Sequence, residues 1–188
     1  MTVLEIQKLN SPILRKQTRK VTRFDRDLQT LIDNMIETMR EASGVGLAGP
    51  QVDQPLRLTV VETLPDRDEE GNEIEGSREL FVLVNPEIVW RSDEMVKGIE
   101  GCLSIPGWVG EVSRHKSIRI KAQDRKGRNV RMRLYDWTAR IVQHEVDHLD
   151  GVLYIDKLTG PENFWTEDEF AEMQETAAGE DVEEVPAV

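Results

Sequence analysis

The stretch Asp136-Trp137-Thr138-Ala139-Arg140-Ile141-Val142-Gln143-His144-Glu145-Val146-Asp147-His148-Leu149-Asp150-Gly151 organises the reading of this chain. Its spacing predicts a helix with Asp136 as N-cap and Gly151 as stop, roughly 20 Å long at ~1.5 Å per residue. On such a helix Trp137, Ile141, His144, Glu145 and His148 share one stripe, and Val142, Val146 and Leu149 share a neighbouring one. A helix that is apolar on two faces is central and largely covered. Two imidazoles four residues apart can ligate a single ion, and Glu145, next to the first of them, can point into the same cleft as a base. The bland alternative is that two histidines and a glutamate share a helix by chance. It leaves three polar groups without partners on a stripe that is otherwise apolar, which is costly.

A catalytic zinc-like site takes three protein ligands and leaves one position for water, so a third donor has to come from elsewhere in the chain. The single cysteine, Cys102, cannot form an internal disulfide. It sits in Glu100-Gly101-Cys102-Leu103-Ser104-Ile105-Pro106, where a glycine on one side and a proline-ended segment on the other restrict the direction of the thiol. A lone cysteine is more often a small buried hydrophobe, and only its combination with the helix motif makes it a ligand candidate. Glu100 and Asp147 could orient ligands, but a solvated carboxylate explains either of them as well.

Upstream, Leu28, Leu31, Ile32, Met35, Ile36 and Met39 recur at helical spacing, with Asp25 as N-cap and Gly44 as stop, which predicts a core-packing amphipathic helix. It leads into Gly44-Val45-Gly46-Leu47-Ala48-Gly49-Pro50-Gln51, whose three glycines permit close approach of a ligand. Short strands are expected over 56–62, 80–84, 117–122 and 130–134, with a polar, exposed insertion over 65–76. Thr166 and Glu169 form a capping box for a C-terminal helix bearing Phe170 and Met173, and the chain is expected to be disordered from Gly179. The expected fold class is α+β: short antiparallel strands around a central metal-binding helix, with an N-terminal amphipathic helix and a C-terminal helix. We expect a catalytic domain over 1–165, followed by the C-terminal helix and an acidic tail over 166–188.

With 188 residues, 38% of them hydrophobic and 32% charged, the chain has the composition of one ordinary globular domain. It has no apolar run near the ~20 residues of a membrane span, and Met1 to Glu5 lacks the pattern of a secretory leader, so no membrane role and a cytoplasmic location are expected. The formal net charge is −12, but ten acids and no lysine or arginine lie from Glu162 onward, leaving 26 acids against 24 bases in the rest. The acidity therefore belongs to the tail, which is unsuited to nucleic-acid binding because phosphates repel it.

Three separate motifs, in the same order, resemble those of the peptide deformylase family: Gly44 to Gln51, Glu100 to Ser104, and His144 to Gly151. The resemblance covers roughly residues 5 to 158, including Pro12-Ile13-Leu14-Arg15. It departs from the family pattern in Gly49, where the family usually has alanine, and in the acidic tail. The resemblance implies a hydrolase that removes the formyl group from N-formylmethionyl nascent peptides. Cys102, His144 and His148 would hold one divalent ion, Fe2+ before Zn2+, Ni2+ or Co2+, and Glu145 would move the protons. Gln51 and the Leu103 N–H would stabilise the oxyanion. Val45, Gly46, Gly101 and Ile141 would bind the substrate. It further implies transient proximity to the ribosome, and a monomer is expected. Rival readings are an HExxH metallopeptidase, which usually needs a downstream Glu or His ligand, and a non-catalytic module that binds formylated peptides and would need neither Glu145 nor Gln51. A cysteine nucleophile paired with His115 is a third, and their spacing gives it no support.

Overall fold

In a computed structural model of the chain, which describes residues 2–68 and 70–178, the first apolar period forms helix α1, Arg26–Glu41. Asp25 caps it, its carboxylate accepting from the Leu28 N–H at 3.2 Å and so satisfying a first-turn donor that has no helical partner. The helix stops before Gly44, because Ser43 already takes the left-handed conformation, φ 54°. Gly44 serves a different need: a Cβ there would lie 2.9 Å from Leu103 Cδ1, so the glycine lets this loop touch the segment carrying Cys102.

Eight strands follow: β1 Gly46–Ala48, β2 Leu58–Glu62, β3 Leu80–Arg91, β4 Met95–Gly101, β5 Trp108–His115, β6 Ser117–Gln123, β7 Asn129–Tyr135 and β8 Phe164–Thr166. They form two sheets, ordered β1-β2-β3-β6-β7 and β4-β5-β8, with antiparallel pairing throughout. Helix α2, Asp136–Leu149, packs against both sheets, and α3, Glu167–Ala178, follows β8. The α+β class holds, with α2 at its centre. Ala139, Ile141, Val142 and Val146 of α2 join Val61, Leu83, Ile118, Ile120 and Leu134 in one buried cluster, each large aliphatic side chain contributing ~1.5–3 kcal/mol on burial.

Several boundaries differ from the sequence expectation, each for a physical reason. The N-cap of α2 is Tyr135 and not Asp136, which is the first helical residue at φ 47° and gives its N–H to the Lys116 carbonyl at 2.8 Å. β3 runs beyond Val84 to Arg91 because a register shift between Val84 and Glu87, at Asn85 and Pro86, lets pairing resume. β4 and β5 have no periodicity signal, since their inward positions include the charged Glu100 and Arg114. Residues 65–68 and 70–76 form neither helix nor named strand and are mostly exposed. The Thr166–Glu169 capping box is present, with Thr166 N–H to Glu169 Oε2 at 2.9 Å and Glu169 N–H to Thr166 Oγ1 at 3.2 Å. The tail from Gly179, expected to be disordered, lies outside the described residues. No described helix is long and apolar enough to cross a membrane.

Candidate active site and metal centre

The helical spacing of His144 and His148 brings both rings to one side of α2, with centroids 5.0 Å apart. The end of β4 delivers Cys102 to the same place. Its sulfur lies 3.2 Å from His148 Nε2, and one donor atom from each of the three residues falls within 4.8 Å of the others. That is the scale set by ligand lengths of about 2.0–2.3 Å.

The tautomer of His144 is set by Glu100, which is fully buried and whose Oε2 lies 2.9 Å from His144 Nδ1. A proton held on Nδ1 leaves the Nε2 lone pair free, the form a metal ligand needs. Burial alone would push the Glu100 carboxyl up. Hydrogen bonds from Arg114 and His144 outweigh it and hold the group well below the usual carboxylate range. Arg114 reaches Glu100 in a bidentate pair at 2.9 and 2.8 Å, and Arg140 adds a bond at 2.8 Å. Arg114 also pairs with Asp147, which Lys157 contacts at 2.8 Å. Buried charges this dense persist only when each has a partner. Gly98 belongs to the same construction, since a Cβ there would meet the Arg140 Cζ at 2.9 Å.

Cys102 responds to the same surroundings. Burial raises its thiol pKa, but the charges and hydrogen bonds of His148 and His144 lower it well below the ordinary value. The His144 imidazole, which burial would lower, is carried up to about 10 by its hydrogen bonds with Cys102 and Glu100, so a second proton on Nε2, shared with the thiolate, is displaced when a cation takes its place. The pocket therefore favours a thiolate, the form of sulfur that binds cations. A buried thiolate, an imidazole with its tautomer fixed and a second imidazole make a donor set that fits a borderline divalent ion.

Glu145 is 2% exposed, and burial raises its carboxyl. Its Oε2 accepts from the Thr59 hydroxyl at 3.3 Å, while a Cβ at Gly46 would fall 2.4 Å from its Oε1. The glycine of β1 is thus the seat of this carboxylate. Gln51 is held in place because its Oε1 accepts from the Ala48 N–H at 2.8 Å. Its amide nitrogen is thereby directed toward Cys102 Sγ at 3.6 Å and Ser104 Oγ at 3.3 Å. At Gly49, a Cβ would lie 2.6 Å from the Leu56 carbonyl oxygen and 2.9 Å from that of Gln54, so the departure from alanine accompanies a close backbone approach.

A cavity of about 310 Å³ opens here, lined among others by Gly46, Gln51, Gly101, Cys102, Leu103, His144 and Glu145. Val45 and Ile141 are not among its lining residues; both lie in the apolar cluster behind α2. His115 is far away, because Met95 pairs with His115 whereas Gly101, beside Cys102, pairs with Val109, about 20 Å along the strand. Sequence reasoning passed over Thr59, Arg114 and Arg140, which sit in no motif. It left Glu100 undecided, although adjacency to Gly101-Cys102 was an available signal.

Fold and site together define the class: an α+β, metal-binding hydrolase with a Cys-His-His donor set and a buried carboxylate beside it. The comparisons with known proteins narrow this. The polypeptide deformylase family profile matches residues 3–164. The chain is 46% identical over 159 residues to a peptide deformylase of Symbiobacterium thermophilum, covering 85% of this chain and 68% of that one. It is 43% identical over 159 residues to one of Thermodesulfovibrio yellowstonii, covering 85% and 91%. The crystal structure of peptide deformylase from Thermotoga maritima superposes with a TM-score of 0.76 at 37% identity, covering 85% of this chain and 100% of that one. The chain belongs to the polypeptide deformylase family, whose hydrolytic reaction removes the N-formyl group of nascent polypeptides.

Proposed function

We propose that Cys102, His144 and His148 hold one divalent ion and that Glu145 is the general base and acid of deformylation at that ion. The observation that carries this reading is the convergence of the three donor atoms within 4.8 Å beside a carboxylate that burial has raised. A divalent ion bound there supplies Lewis acidity, polarising a carbonyl and acidifying water. Glu145 takes a proton from the water that attacks the formyl carbon and returns it to the amine as the C–N bond breaks and formate leaves. The Gln51 amide, oriented through Ala48, and the Leu103 N–H stabilise the charge that develops on the formyl oxygen. Asp147, Arg114 and Arg140 keep Glu100 in place, and Glu100 keeps His144 in its ligating tautomer.

The substrate backbone adds as a strand. β1 and β4 each stand at a sheet edge, and Gly46 and Gly101 lie on them where they flank the cavity, so an extended peptide finds unpaired backbone on both sides. A peptide deformylase of Acinetobacter baumannii, similar at 37% identity with a TM-score of 0.75 over 84% of this chain and 99% of that one, is known with Met-Ala-Ser bound. The matching substrate, formyl-Met-Ala-Ser, is the one to use. Fe2+ is the ion we assign first, on the family resemblance. We also assign a monomeric catalytic body over 1–165, a C-terminal helix and acidic tail over 166–188, a cytoplasmic location and passing proximity to ribosomes.

The decisive experiment prepares the chain without oxygen, measures its metal content, and follows formate release from formyl-Met-Ala-Ser with and without a chelator. One ion per chain and chelator-sensitive release are expected. Release that survives complete removal of the metal would overturn the assignment.

A further inference from the structure

We propose that the outer face of the β6–β7 hairpin, on the side away from α2, is a docking surface for the phosphate backbone of single-stranded RNA. Arg119 and Lys121 on β6 and Arg131 and Arg133 on β7 are all exposed. Register makes them two like-charge pairs directly across the ladder, Arg119 opposite Arg133 and Lys121 opposite Arg131. Directly opposed like charges destabilise a sheet, and the ring contacts of Arg119 and Arg133 offset this without neutralising the charge of the patch. Only Lys121 has a carboxylate within ion-pair range among the described residues, Glu87 at 2.9 Å. The chain as a whole carries 36 acids against 24 bases, and this face reverses that ratio.

The aromatic side chains between the cations favour nucleic acid. Trp90 is 38% exposed and Tyr135 is 51% exposed. Arg119 and Arg133 lie 5.1 and 5.3 Å from the Trp90 ring centre, and Arg133 lies 5.0 Å from that of Tyr135. Guanidiniums that alternate with rings offer bidentate donors to phosphate and stacking surfaces to bases. An anionic bilayer is the weaker match, because the rings stand among charges and not on the apolar face of an amphipathic helix.

Location permits the two activities together. β1, which seats Glu145, lies at one edge of the five-stranded sheet and β7 at the other, four strand spacings or about 19 Å away. The inner face of β6 and β7 is packed under α2 through Ile118, Ile120 and Leu134. Docking on the outer face leaves the cleft open.

The test is fluorescence anisotropy of a short unstructured RNA with the full chain at several salt concentrations. Four contacts predict a log–log salt slope of about −2.8, a loss of about 50-fold in affinity between about 50 and 200 mM salt. The variant Arg119→Gln/Lys121→Gln/Arg131→Gln/Arg133→Gln is expected to lose this binding while releasing formate from a short formylated peptide as before. Should that variant fold poorly, Arg131→Gln and Arg133→Gln alone should each reduce the slope by about 0.7. Absence of salt-dependent RNA binding, binding indifferent to these substitutions, or capture by phosphatidylserine vesicles that RNA does not displace would each overturn the proposal.

Discussion

Helices α1 and α2 are similar in length and opposite in what they bury. α1 places Leu28, Ile32, Met35, Ile36 and Met39 in the core, and its charged residues face outward or meet partners at the rim, as Arg40 meets Glu62 at 3.1 Å. α2 is covered on nearly every side, and its buried positions include Arg140, Gln143, His144, Glu145 and His148. The first helix is held mainly by apolar area, which tolerates substitution that preserves volume. The second is held by area on one face and by a closed set of charge partners on the other, and such a set fails when one member is removed. Chemistry sits on the second kind, because only a covered, partnered charge keeps its protonation state away from solvent.

The sharpest way to break this contrast is at Glu145. Glu145→Gln keeps the shape and metal content of α2, yet formate release should fall by about 10²–10⁴-fold, the usual contribution of general acid–base catalysis. Residual activity within a few-fold of the parent would mean that the carboxylate is a spectator. Next is Glu100→Ala, which strands two buried guanidiniums and should destabilise the chain by roughly 3–5 kcal/mol in urea titration. It should also weaken metal binding by about 10–100-fold through loss of the His144 orientation. On α1, Met35→Ala should cost about 2–5 kcal/mol of stability while the folded fraction keeps its full metal content. Equal metal loss in the two variants would erase the distinction between the helices.

The smallest effect concerns the rim of α1. Hydrogen bonding from Arg40 lowers the Glu62 carboxyl against an opposing effect of burial, so its folded pKa lies below its unfolded one. Its stabilisation is complete above the unfolded value of about 4.3 and disappears as pH falls through the folded value. Glu62→Gln should therefore flatten the acid side of a stability–pH profile and leave the range from about 6 to 8 unchanged apart from a constant offset. An altered slope near neutrality would assign the dependence to another group.

The two helices also differ in how readable they were. α1 follows from its period and its cap, because both are local: side-chain spacing and a carboxylate three residues from its acceptor. On α2 the turn geometry puts His144 and His148 side by side whatever surrounds them. The lone cysteine then completes a three-donor set by its chemistry. β4 and β5 were illegible for the reason that makes them useful. They turn Glu100 and Arg114 inward, which inverts the alternation by which a strand is recognised, and the compensation comes from Arg140 and Asp147 on a helix some 40 residues later.

By itself the sequence determined the helices, the antiparallel character of the strands, the spacing of the two imidazoles and the identity of the sulfur donor, since each depends on neighbours within a turn or on residue chemistry. Only the tertiary structure decided that the end of β4 meets α2, that Glu100 is a buried partner of His144, that Gly46 seats the Glu145 carboxylate, and that four cations share one outer face of the sheet. Those facts depend on strand register and on packing between distant segments, and no local pattern encodes the distance between two residues that the chain brings together only when it folds.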